Sequence, residues 1–205
     1  MIAVAAVVGN SFYDFDLEQW GFKRNNKEQW SSYFKRLQAH PAWGTKNIVS
    51  WDVNIQGARE INSTVTANPE VYYFSFVNSN TVLDSSSGRH IPNNTMSFII
   101  RSNARLMGMK KAYFEDGTST DSTWFENDGI VNKKSMYGPT TGLNGADPIT
   151  NYSEDEILIP GQWYAMNGLK MDHRRMVGHG AKEKDYKLLM EKYITHLKLI
   201  QSLPK

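Results

Sequence analysis

The sequence predicts an open α/β sheet in which helices alternate with mostly parallel strands. Three observations predict it. "NKEQWSSYFKRLQAHP" sets Trp30, Tyr33, Phe34 and Leu37 at i, i+3, i+4 and i+7, the spacing of one apolar helical face. "EVYYFSFVN" is an unbroken apolar and aromatic run bounded by Pro69 and Asn78, as expected of a strand buried on both faces of a parallel sheet. A buried strand that follows a helix is the mark of a crossover connection.

The elements follow in order. "MIAVAAVVGN" brings Ile2, Val4, Val7 and Val8 close to one stripe; without a positive n-region, and ending within ten residues, it reads as a buried helix or strand cut off on its upstream side rather than a signal peptide. The next helix takes Asn26 as its N-cap, Gln29 at the capping-box position and Pro41 as its stop. A short helix from about Gly57 to Val65 leads into the aromatic strand. From Asn78 to Tyr164 the chain is rich in Gly, Asn and Ser with few periodic segments, the kind of region in which sites sit. "EKDYKLLMEKYITHLKLIQSL" closes the chain as an amphipathic helix with Tyr186, Leu189, Tyr193, Leu197 and Ile200 on its apolar stripe. No repeat and no linker divides the chain, so one domain is expected, although the strands are too few for a whole sheet.

Composition excludes several classes. With 205 residues, 40% hydrophobic and 21% charged, the chain has enough apolar surface for a sizeable core. Twenty-three Lys and Arg against 21 acids leave +2, too even a balance for nucleic acid as the main partner. No run approaches the ~18 apolar residues of a membrane helix. With no cysteine there is no disulfide framework, which leaves the compartment open.

Two loops offer chemistry. "WFENDGIVN" places Asp128 in an Asn-Asp-Gly turn, and "LKMDHRRMVGHG" places His173 in a polar loop. Taken alone, Asp-Gly reads as turn chemistry and His173 as a solvated histidine; His40, His90, His179 and His196 have no better local argument. Asp172 is not expected to orient the neighbouring ring, because adjacent side chains diverge.

The segments "YDFDLEQWGF", "YFKRLQAHPAW", "WDVNIQGAREIN", "VYYFSF", "WFENDGIVN", "SMYGPTTG" and "MDH" resemble, in order, consecutive parts of the C-terminal half of the lipases of staphylococci and thermophilic bacilli. The resemblance covers nearly the whole chain. It implies the C-terminal portion of an α/β-hydrolase fold, with residues 1–205 part of a single domain. It assigns Asp128 as the acid and His173 as the histidine of a Ser-Asp-His triad, in the chain order of that fold. The nucleophile is absent: no Gly-x-Ser-x-Gly elbow occurs, and neither "VGNSF" around Ser11 nor "DGTSTD" around Ser119 substitutes for it. The partner expected on this reading is an N-terminal half carrying the serine, and the chain as given is expected to be inactive.

The same resemblance bears on metals. It matches Asp52 to one of four zinc ligands, the other three lying in segments not present, so zinc is expected only with the missing half; Asp52 as the N-cap of the following helix is the plainer reading. The family's calcium ion is held by a carboxylate two residues after the histidine and by an Asp-Pro pair. Those positions fall on Arg175 and near Gly180 and Ala181, so that site is expected to be lost, with Arg175 pairing instead to Glu154, Asp155 or Glu156.

The resemblance thus implies a secreted lipase or carboxylic ester hydrolase acting on acylglycerols, with no nucleic-acid partner. The alternatives are a non-catalytic lipase-like binding protein or pseudoenzyme and, more weakly, a phosphate or anionic-lipid surface on the basic stretch from Lys170 to Lys198.

Overall fold

A computed structural model describes residues 21–46, 49–140 and 147–204. The apolar stretch from Met1 to Asn10, with Ser11, lies outside the described residues. The chain divides into two compact units, Met1–Asn54 and Ile55–Lys205.

In the first unit, α1 (Trp30–Gln38) buries Tyr33 and Leu37 against Phe22, with Phe34 alongside. The Tyr33 hydroxyl donates to the Phe22 carbonyl at 2.6 Å. Trp30, expected on the buried stripe, is 46% exposed and stacks on Phe34 instead. The helix begins later than its capping pattern implies, at Gln29, whose side chain makes no cap. The cause is Glu28: its backbone N–H donates to the Asn25 carbonyl, while its carboxylate accepts from Asn25 N–H and is gripped by Arg36 at 2.9 and 3.0 Å. These bonds hold residues 25–28 in a turn. After a short 3₁₀ turn at Pro41–Gly44 comes α2 (Val49–Asp52). Asp52 is the last residue of α2 and exposed, not the N-cap expected of it; Asn54 N–H donates to the Trp51 carbonyl and closes the turn.

The second unit opens with α3 (Ile55–Asn62), then β1 (Tyr73–Val77), a hairpin of β2 (Thr81–Asp84) and β3 (Arg89–Pro92), α4 (Arg101–Met107), β4 (Ile149–Asn151), β5 (Trp163–Asn167), α5 (His173–Met176) and α6 (Glu183–Ser202). The main sheet is parallel, ordered β1-β5-β4, with Tyr73 opposite Trp163 and Ile149 also opposite Trp163. β5 is central and buries Tyr164, Ala165 and Met166. β1, expected to be buried on both faces, is half-buried throughout, because among the described residues it forms an edge. Gly168 lets the ends of β1 and β5 approach: a Cβ there would fall 2.5 Å from the Val77 carbonyl oxygen.

Two apolar clusters place the loops that matter. α6 buries Leu189 against Met171 and Met176, with Phe76 and Tyr193 packed around them. α4 and the turn before it bring Ala104, Ile100 and Met96 together under Ile130. The expected stripe of α6 is correct at Leu189 and Tyr193 and wrong at Tyr186, Leu197 and Ile200, which are exposed. His196 faces inward in their stead, edge-on to Phe74 and Phe76. Among the described residues no helix is long and apolar enough to cross a membrane.

Candidate active site

Asp128 occupies a turn closed by its backbone N–H to the Val131 carbonyl at 3.1 Å and reinforced by side chain-to-backbone hydrogen bonds. Its Oδ1 accepts the N–H groups of Ile130 and Val131 at 3.0 and 2.8 Å, the local closure that aspartate favours before glycine. The preceding Asn127, fully buried, donates to the carbonyls of Ala104 and Phe125 and accepts Gly129 N–H at 2.9 Å. Gly129 sits at φ +99°, and a Cβ there would come within 2.7 Å of Ile100 Cδ1, so only glycine suits the position. The turn is thereby fastened to α4.

His173 is the first residue of α5. Asp172 caps that helix, its Oδ1 accepting Arg175 N–H at 3.1 Å. The His173 N–H donates to the Asp128 carbonyl at 3.0 Å, and His173 Nδ1 lies 2.9 Å from Asp128 Oδ2. The carboxylate is fully buried, whereas the imidazole side chain is 45% exposed. Its other nitrogen, Nε2, makes no hydrogen bond among the described residues, so the ring is held at one edge and open at the other.

The remaining candidates lie elsewhere. Ser119 is in an isolated antiparallel bridge with Tyr113. His90 lies in β3, its Nδ1 3.3 Å from Thr81 Oγ1, with burial pushing its pKa down. His40 meets the Phe22 ring edge-on. Arg175 does not reach Glu154, Asp155 or Glu156 as expected; its Nε is 3.6 Å from Asp172 Oδ2, because the one-turn helix puts both residues on one side. No group of three His, Cys, Asp or Glu able to hold a metal occurs among the described residues, Asp52 included.

Sequence reasoning missed the roles of Asn127, Ser97 and Asp172. Asn127 carried a signal in the Asn-Asp-Gly triplet itself. Asp172, adjacent to His173, turns away from the ring as neighbouring side chains do, but toward Ser97, a partner distant in sequence. A polar cavity of about 420 Å³ also opens at the carboxyl ends of β1, β4 and β5, where Val77, Asn151 and Asn167 meet Asn80 and Lys170; neither Asp128 nor His173 lines it.

Comparison with known proteins gives this geometry its context. The lipase of Staphylococcus hyicus is 28% identical over 169 residues, 82% of this chain and 24% of that protein. The solved EstA of Clostridium botulinum superposes with a TM-score of 0.69 at 34% identity, over 89% of this chain and 43% of the other. The crystal structure of the S. hyicus lipase shares the fold, with a TM-score of 0.64 at 23% identity, over 98% of this chain and 50% of the other. The chain thus spans about a quarter of the S. hyicus sequence and half or less of the solved chains. Its parallel sheet and flanking helices are the C-terminal portion of an α/β-hydrolase fold. Residues 1–187 match the family described as lipase-like, C-terminal domain, and the chain belongs to that family.

Proposed function

We propose that this chain supplies the acid and the base of a Ser-Asp-His triad, Asp128 and His173, to a serine carried by an N-terminal half outside it, as the C-terminal part of one α/β-hydrolase domain. The observation that carries the reading is the 2.9 Å approach of Asp128 Oδ2 to His173 Nδ1. Because Oδ1 is occupied by two backbone amides, Oδ2 is the oxygen left for the ring. That bond fixes the tautomer with the proton on Nδ1 and leaves Nε2 as a base. Nε2 takes the serine proton as the hydroxyl attacks an ester carbonyl, then returns it to the departing alcohol. Buried Asp128 stabilises the imidazolium formed between these steps. The substrate class is carboxylic esters, acylglycerols first, by similarity to lipases that match most of this chain. No nucleic-acid partner is proposed. By the same similarity the full-length protein is secreted.

Metals enter differently. Zinc would need ligands from the N-terminal half, since exposed Asp52 alone does not make a tetrahedral site. For calcium the residues do not fit: the position two after His173 is Arg175, directed at Asp172, and its guanidinium has no acceptor and repels a cation.

A second reading, a lipase-like binding protein without catalysis, is favoured by exposed apolar side chains such as Phe98, at 82% exposure, and Val177, at 73%. The experiment is turnover of p-nitrophenyl esters by the purified chain. The reading expects none above background, and hydrolysis abolished by serine-directed inhibitors would place the nucleophile inside these 205 residues instead.

A further inference from the structure

A second fully buried carboxylate stands beside the first, and no step above uses it. Asp172 Oδ1 accepts Arg175 N–H, the single bond that a helix cap requires. Its Oδ2 reaches across the fold to Ser97, accepting the backbone N–H at 2.8 Å and the hydroxyl at 2.9 Å. Arg175, its side chain only 16% exposed, brings Nε to 3.6 Å from the same oxygen and supplies the countercharge that a buried carboxylate needs.

Ser97 is itself held firmly. Arg101 donates to the carbonyls of Asn94 and Met96 in the segment just before it, and Met96 and Ile100 pack under Ile130. Ile130 lies two residues beyond Asp128 and donates its N–H to that carboxylate. Asp172 therefore ties the helix that begins at His173 to the cluster that supports the Asp128 turn. α5 is one turn of four residues, too short to keep its own position by helical bonds.

We propose that Asp172, joined to Ser97 and balanced by Arg175, is a positioning residue that sets His173 against Asp128. The proposal rests on the reading of Asp128 and His173 as the catalytic pair. Asp172 touches no reacting atom; it acts through the backbone at the start of α5. A reacting group held even 1 Å out of place loses much of its effect, which is the benefit of a second anchor.

The test reads the His173 tautomer from its ring nitrogen shifts in the 205-residue chain near pH 8. The intact chain shows the proton on Nδ1. Ser97→Ala removes one charge-assisted hydrogen bond while keeping the carboxylate, and shifts the tautomer ratio toward Nε2–H by roughly threefold or more. Asp172→Asn shifts it further, and Ser97→Thr, which keeps the hydroxyl, restores the original ratio. Asp121→Asn weakens the cap of a different turn and leaves the ratio unchanged, which separates positioning from general loss of stability. If Asp172→Asn does not fold, Ser97→Ala decides. An unchanged tautomer in Ser97→Ala and Asp172→Asn, with only the melting temperature lowered, overturns the proposal. Nε2–H in the unsubstituted chain overturns the Asp128–His173 pairing itself.

Discussion

Asp128 holds His173 at two points, its carbonyl oxygen accepting the histidine's backbone N–H at 3.0 Å and its Oδ2 standing 2.9 Å from the ring Nδ1. The same side chain also satisfies two amides of its own turn, so its loss has two separable consequences. Asp128→Ala strands those amides and is expected to lower unfolding free energy by about 2–4 kcal/mol in urea. Asp128→Asn keeps an acceptor for them and loses less than half as much, while turning an amide toward the ring. Equal losses in the two variants would contradict this division.

Gly129→Ala tests the turn without touching a polar group. The φ of +99° and the approach to Ile100 Cδ1 together predict a loss of about 1–3 kcal/mol from the backbone alone, with any clash adding to it. Urea unfolding measures it, and a neutral effect would mean that the turn is free to relax.

His196 predicts a pH dependence. Burial against Phe74 and Phe76, with Lys192 adding repulsion, pushes its pKa down. A lowered histidine contributes stability that is complete above its unfolded pKa of about 6.5 and is lost as pH falls toward the folded value. Stability should therefore decline between pH 7.5 and 5.5, and His196→Gln should make that decline shallower. Parallel curves for the two proteins would contradict the assignment.

Much of this arrangement was legible in the sequence, and what was not has physical causes. The apolar spacing of α1 and the aromatic run of β1 are strong local signals, and the resemblance singled out Asp128 and His173. β5, the central strand, was hidden because "WYAMN" is short and its burial comes from neighbours on both sides. The hairpin of β2 and β3 lies inside the Gly-, Asn- and Ser-rich region, where its four-residue strands are too short to show an alternation, and its turn ends at Gly88, at φ +66°. α4 lacks an apolar period, and its place is set by Asn103 and Ala104 bonding to the Asp128 turn. Asp172 and Ser97 stand 75 residues apart, a link that local pattern cannot show.

Calcium provides an independent check on the loop after His173. Isothermal titration of the chain with Ca²⁺ should show no binding there, because Arg175 offers a cation where the ion would need an anionic oxygen. Micromolar affinity left unchanged by Arg175→Glu would refute that reading and put the correspondence around His173 out of register.

The most direct test of the central claim is ester hydrolysis after the chain is joined to an N-terminal lipase half that bears a Gly-x-Ser-x-Gly serine. The joined protein should hydrolyse p-nitrophenyl butyrate, and His173→Ala should reduce kcat by several orders of magnitude, roughly 10³-fold or more, with little change in KM. Hydrolysis that persists undiminished in the His173→Ala protein would show that the base lies elsewhere, and would contradict the account.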